Sequence, residues 1–263
     1  MTGVGAGLVV LGVSVVWIAV LQSAGLVIGR RIGRWNVVDV IWGVGFVGIG
    51  LIAAVLGGGD LVRRVTIAVI IAVWGLRLSW HMHVKTRGQG EDPRYSEFLG
   101  PAPGLATVAR RVFATQGVSQ IWVGLPVIVS AVSRPTSGGW WALFVFGVLA
   151  SVAGLVIEAL GDAQLRAYRL DPQRGPVMDR GLWAWTRHPN YFGDACLWWG
   201  VWAIAASGGP ALFTVFSPIA MTYFLVHATG ARRLERMMAR RPAYVEYQRR
   251  TSFFVPWPPR RTR

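Results

Sequence analysis

The chain has 263 residues, of which 53% are hydrophobic and only 15% charged, with a mean hydropathy of +0.45. Soluble domains carry about a quarter charged residues, so this composition excludes an ordinary water-soluble globule, and the single cysteine, Cys196, excludes a disulfide framework or a multi-cysteine metal site. The net charge of +15 does not point to nucleic acid: 26 of the 27 basic residues are arginine, and they lie between apolar runs, not on one wet face that could track phosphates.

In chain order, residues 3–29 carry no charged side chain. As a helix they would reach about 40 Å, enough to cross a hydrocarbon core of about 30 Å. The segment lacks the basic start and short apolar core of a cleaved signal, so it reads as a retained span. Further spans are expected at 37–56, 61–81, 117–132, 140–160, 191–206 and 211–229, seven in total. Twenty-three basic residues follow the first, third, fifth and seventh spans, against Arg63, Arg64 and Arg134 in the other connections. That asymmetry places the N-terminus outside and the C-terminus in the cytoplasm. The expected fold class is therefore all-α, a polytopic integral membrane helical bundle. A single membrane domain is expected over 1–263: N-terminal spans and a first cytoplasmic loop in 1–116, a C-terminal part in 117–256 and a basic tail in 257–263. No internal repeat is evident, which argues against an inverted-repeat transporter.

Within the second span Asp39 is the only carboxylate of the first two apolar runs. An ionisable group at that depth is a functional-site candidate by default, with structural pairing to Arg77 as the alternative. The run Gly43-Val44-Gly45-Phe46-Val47-Gly48 matches the dinucleotide fingerprint letter for letter. It lies inside a span with no strand before it, so close helix packing is the better reading. His81 and His83 are two apart, which on a helix turns them away from each other and argues against zinc.

Two long cytoplasmic loops are expected, at about 83–116 and 161–190. Glu158, Asp162, Arg166 and Arg169 are four, four and three apart and share one helix face. They could simply be acid–base pairs on a membrane-exit helix. Glu158, however, follows the apolar run 143–157, where an ionisable group should face a polar cavity. Next comes Arg187-His188-Pro189-Asn190-Tyr191-Phe192-Gly193-Asp194. His188-Pro189 disfavours helix at His188, and Pro189 suits a first helical turn. The new helix would direct its positive end at the loop, ready for an anion. Arg187 adds a planar donor for phosphate or carboxylate. Asn190 and Asp194, four apart, form a donor–acceptor pair suited to an amide or a ribose; a well-capped helix start is the plainer alternative.

This block, together with Gly181-Leu182-Trp183, Trp198-Trp199-Gly200, Gly90-Glu91-Asp92-Pro93-Arg94-Tyr95, Glu158 with Asp162, and the late Glu235, Tyr244, Tyr247 and Phe254-Val255-Pro256, resembles a bacterial membrane family with a steroid 5-alpha-reductase-type C-terminal domain. The resemblance covers roughly 39–256. It implies a seven-helix reductase whose NADPH lies under the cytoplasmic loops. The substrate would be a polarised carbon–carbon double bond in a lipid-like molecule such as a steroid, an unsaturated acyl chain or an isoprenoid. By matched position, Glu158, Asp162, Arg169, Asn190 and Asp194 would line the cofactor site. Arg187 and His188 would lie close by, with Arg232, Arg233 and Tyr247 more loosely placed. Steroid reductases also use a carboxylate and a tyrosine from the N-terminal half to polarise a ketone and supply a proton. Asp39 is the candidate carboxylate. No tyrosine occurs in the first three spans, so Tyr95, beyond them, is the candidate donor.

Membrane enzymes resembling the isoprenylcysteine carboxyl methyltransferases carry a similar arginine–histidine–proline block. Methyl transfer from S-adenosylmethionine is therefore the alternative; the long stretch 158–187 and the Asn190/Asp194 pair favour the reductase. The expected setting is a bacterial plasma membrane with the cofactor site facing the cytoplasm. The expected partners are the lipid bilayer and a hydrophobic small molecule, with neither nucleic acid nor metal.

Overall fold

A computed structural model describes residues 3–228 and 230–260. Its long helices are α1 (Val4–Ile32), α2 (Val37–Leu56), α3 (Leu61–Thr86), α5 (Leu105–Ser130), α6 (Trp140–Leu170) and α7 (Pro189–Ala206). The shorter ones are α4 (Pro93–Leu99), α8 (Phe216–Tyr223), α9 (Ala231–Met238) and α10 (Pro242–Arg250). Among the described residues the one β-type contact outside helices is an isolated parallel bridge between Thr186 and Ser252.

Five stretches are long and apolar enough to cross a membrane: Val4–Ile32, Val37–Leu56, Leu105–Ser130, Trp140–Leu170 and Pro210–Met238. The chain is an all-helical integral membrane protein. The spans expected at 61–81 and 191–206 fall on α3 and α7. The one expected at 211–229 falls on a 3-10 turn (Pro210–Thr214), α8 and a π turn (Phe224–Ala228), its last residue lying outside the described residues. The expected basic tail 257–263 is described as far as residue 260.

Two helices run further than the apolar pattern indicates. α5 begins at Leu105, twelve residues before the expected 117, and passes Arg110 and Arg111 in a π turn over Ala109–Ala114. Hydropathy ends at those two charges, but backbone hydrogen bonding does not. α6 likewise continues to Leu170, so Glu158, Asp162, Arg166 and Arg169 lie on one unbroken helix.

The chain forms two compact units, Met1–Phe144 with Ile204–Ser217, and Val145–Ala203 with Pro218–Arg263. In the first unit, α2 and α3 meet backbone to backbone. A Cβ placed on Gly43 would come within 2.2 Å of the Gly75 carbonyl oxygen, so no larger residue fits there. Gly48, in the same run, is covered by the Trp17 indole of α1, whose Nε1 donates to the Gly45 carbonyl at 3.0 Å. The glycine-rich run therefore serves helix packing, as small residues do between membrane helices. A buried polar relay adds to this: Gln22 Nε2 donates to Gln120 Oε1 at 2.7 Å, and Gln120 Nε2 donates to the Trp42 carbonyl at 2.8 Å, joining α1, α5 and α2. At the other end of α3, Arg63 is fully buried. Its guanidinium donates to Ser130 Oγ (2.9 Å), Thr136 Oγ1 (3.0 Å) and the carbonyls of Ser133 (2.9 Å) and Arg134 (2.8 Å). A buried cation is tolerated only with its donors satisfied in this way.

In the second unit, α6 and α7 touch through glycine. A Cβ on Gly193 would fall 2.5 Å from both the Glu158 nitrogen and the Gly154 oxygen. This contact sets the N-terminal turn of α7, which begins at Pro189, against Glu158 and Gly161 of α6. The C-terminal segment then closes over the loop that precedes α7. The Arg187 N–H donates to the Ser252 carbonyl (3.0 Å), Thr186 Oγ1 to the Phe254 carbonyl (2.8 Å) and the Trp257 N–H to the Trp185 carbonyl (2.9 Å).

Candidate active site

Two clusters of polar side chains stand out, one in each unit. In the first, Asp92 accepts from the Arg94 N–H at 2.9 Å and Pro93 takes the first position of α4, a standard helix start. Glu91 does the same for α2 from a distance: its carboxylate accepts from the backbone N–H groups of Trp35 and Asn36. Glu91 thus fastens this loop onto the N-terminus of α2, where negative charge is favoured. Asp39 lies in the first turn of that helix.

The fastening brings Tyr95 to Asp39 across 56 residues, with the phenol O–H donating to Oδ1 at 2.7 Å. Arg94 Nη2 donates to Asp39 Oδ2 and to Asp92 Oδ2, both at 2.9 Å. Asp39 therefore pairs with Arg94 and Tyr95. Burial, and then the negative Asp39 that receives its hydrogen bond, push the Tyr95 phenol far above its ordinary pKa, so it remains a neutral O–H donor. Burial works against the Asp92 charge, but the Arg94 guanidinium and N–H outweigh it and hold that carboxyl below its usual range. Beneath the cluster Tyr95 and Leu99 pack on a core of Val38, Val108, Val112 and Phe113.

In the second unit, Glu158 and Asp194 are buried, at 3% and 6% exposure. Asn190 Nδ2 donates to Asp162 Oδ1 at 3.1 Å. One and two turns beyond Asp162 on α6, Arg166 and Arg169 are exposed, and among the described residues no hydrogen bond or ion pair engages either guanidinium. Asp162, Asn190 and the positive end of α7 meet here, and Arg166 and Arg169 follow further along α6.

Arg187, His188 and Tyr247 are occupied differently. Arg187 grips Glu235 with two parallel bonds, Nε to Oε1 and Nη2 to Oε2, both 2.9 Å. Its Nη1 donates to the Gln248 carbonyl at 3.0 Å and also to the Thr251 carbonyl. His188 Nε2 lies 3.1 Å from Glu235 Oε1, and the ring stacks on Tyr191 at 5.7 Å. Tyr244 O–H (2.7 Å) and Gln248 Nε2 (2.6 Å) donate to the same carboxylate. Tyr247 O–H donates to the Trp183 carbonyl at 2.5 Å. Arg187, His188 and Tyr247 thus hold the C-terminal helices on the loop before α7 and do not present free donors. Arg232 lies over the Phe253 ring at 5.5 Å, and Arg233 is half-buried on the same helix.

Sequence reasoning did not single out Arg94, Asp92, Glu91, Tyr244 or Gln248 as site residues, nor Glu235 as the hub of its cluster. The Asp92-Pro93 start of a short helix was a readable signal for the first group. For Glu235 the signal was fainter: it is the one acid in the run Arg232-Arg233-Leu234-Glu235-Arg236.

Comparison with known proteins supports the resemblance. The family described as protein of unknown function (DUF1295) matches residues 25–251. A stretch of 69 residues is 36% identical to steroid 5-alpha-reductase DET2 of Arabidopsis thaliana, covering 26% of each chain. The chain therefore spans about a quarter of the length of this curated relative. No solved structure matches.

Proposed function

We propose that this chain, which belongs to the DUF1295 family, is a membrane-embedded reductase that uses NADPH to saturate an activated carbon–carbon double bond in a lipid-like substrate. The observation that carries the reading is the Tyr95–Asp39 hydrogen bond. A neutral phenol held by a carboxylate is the pair that steroid reductases employ on a ketone, here assembled from residues 56 apart. The partial identity to a steroid 5-alpha-reductase supports the same chemistry. In this reading the chain has seven spans, with its N-terminus outside and its arginine-rich loops in the cytoplasm of a bacterial cell.

In this reading the second unit holds the cofactor, and its side chains suit NADPH. Arg166 and Arg169 offer uncommitted guanidinium groups for phosphates, assisted by Arg232 and Arg233. Glu158, Asp162, Asn190 and Asp194 offer acceptors and an amide for ribose and nicotinamide. Bound there, NADPH supplies a hydride. The chain's own residues do the rest. In the first unit the single Tyr95 proton, held on Asp39 in the free protein, would turn to a substrate carbonyl conjugated to the double bond and so draw electron density from the far alkene carbon. Asp39 keeps the phenol in place until then, and Arg94 balances the charge of Asp39. A proton taken up from water by the other alkene carbon completes the saturated product and balances the hydride. Arg187, His188 and Tyr247 act by keeping the loop before α7 in place.

The test is thermal unfolding of the detergent-purified protein with NADPH and, separately, with S-adenosylmethionine. A ligand at about 100 times its Kd stabilises by about 2.7 kcal/mol. NADPH should raise the midpoint, and Asn190→Ala or Arg169→Ala should abolish that rise without altering the ligand-free midpoint. A response to S-adenosylmethionine alone would replace reduction with methyl transfer.

A further inference from the structure

Several arginines close to the first three helices are engaged by the chain itself. Arg34 donates to the carbonyls of Thr86 and Gln89, Arg64 to those of Gly59 and Ala54, Arg63 is enclosed, and Arg94 holds two carboxylates. Arg30 and Arg31, adjacent in the last turn of α1, differ. Both are exposed, and among the described residues neither has a hydrogen-bond or ion-pair partner.

They rim a cavity of about 440 Å³ whose other lining residues are Leu26, Val27 and Leu105, with no acidic side chain among them. Its lining is thus three aliphatic side chains and two guanidinium groups. α1 has 29 residues, or about 43 Å at ~1.5 Å each, which exceeds the roughly 30 Å hydrocarbon core. Its last turn therefore emerges at headgroup depth while Leu26 and Val27, a turn earlier, meet acyl chains. The π turn of α5, whose Val112 and Phe113 belong to the core cluster that Leu26 packs against, adds exposed Arg110 and Arg111. Water suits the guanidinium groups but not the aliphatic lining, and a neutral lipid suits the aliphatic lining but leaves two guanidinium groups without a counter-charge. A molecule with a phosphate at one end and a hydrocarbon chain at the other satisfies both.

We propose that this groove is a binding site for an anionic phospholipid, with its phosphate on Arg30 and Arg31, an acyl chain along Leu26 and Val27, and Leu105 of α5 closing the groove on the far side of the phosphate. The site is independent of the reductase reading.

The experiment is native mass spectrometry of the purified protein in mild detergent, titrated with phosphatidylglycerol or phosphatidylcholine. Phosphatidylglycerol should bind at lower concentration. The double variant Arg30→Gln/Arg31→Gln should weaken it roughly thirtyfold, given about a kcal/mol for each arginine at an anionic lipid surface. The exposed control pair Arg236→Gln/Arg240→Gln should leave it unchanged, and Leu105→Trp, which narrows the groove, should weaken it with all charges present. Because the four arginines are exposed, the variants test binding and not folding. Equal binding of the two lipids, an undiminished affinity in Arg30→Gln/Arg31→Gln, or displacement of the lipid by an equal concentration of inorganic phosphate would each overturn the assignment.

Discussion

Replacing Glu235 with alanine should be the most damaging single change in the second unit. The carboxylate receives two bonds from Arg187, one each from Tyr244 and Gln248, and lies against His188 Nε2. Both ion-pair partners are nearly enclosed, with side-chain exposures of 9% and 11%. Removing one member of such a pair leaves the other charged and poorly solvated, at a cost of about 3–5 kcal/mol. Arg187 retains only its carbonyl partners on Nη1, which do not neutralise it. For a chain of this size the loss corresponds to a midpoint drop on the order of 10 °C. The assay is thermal unfolding in a fixed detergent, with hydrogen exchange over 183–188 as a local readout. Glu235→Gln should lose less, because an amide still accepts from Arg187. The apolar double variant Arg187→Met/Glu235→Leu should recover much of the loss, since no orphaned charge remains. A drop under ~2 °C for Glu235→Ala, or a double variant no better than the single one, would refute the view that this ion pair closes the C-terminal segment over the loop.

Three further outcomes are expected. Tyr95→Phe should lower turnover by about 10²–10⁴-fold while NADPH still shifts the unfolding midpoint; Asp39→Asn should act in the same direction and spare cofactor binding, and an unchanged rate in both would remove the pair from the chemistry. Gly193→Ala should destabilise by about 1–3 kcal/mol, because the added methyl meets backbone of α6 at 2.5 Å; a neutral result in thermal unfolding would show that α6 and α7 have room to separate. The lowered pKa of Asp92 means its contribution is complete above the unfolded value, about 3.9, and is lost as pH falls below that through the folded value; hydrogen exchange over 91–99 should therefore accelerate below about pH 4 in the wild type, and Asp92→Asn should show little such pH dependence.

The helical scaffold was readable because lipid imposes one rule on long apolar runs. The start of α7 at Pro189 and the packing role of Gly43 to Gly48 followed from local geometry in the same way. The true start of α5 was hidden because Arg110 and Arg111 end the hydropathy signal while the helix continues through a π turn. The Asp39–Tyr95 contact was foreshadowed by residue type alone. What makes it is Glu91 capping a helix that begins 54 residues earlier, and no local pattern encodes such a return. Arg187 was read as an anion ligand because its neighbours suit one, but its partner Glu235 lies 48 positions away, where pairing cannot be inferred from spacing.

The bridge between Thr186 and Ser252 also fixes an order of events during biosynthesis. Residue 252 leaves the ribosome more than sixty positions after residue 186, so the loop ahead of α7 must wait, with the Arg187 cation unmatched, until α9 and α10 have been made. This corner is completed only by the last helices of the chain, and a nascent chain halted short of them would be a natural target for quality-control proteases.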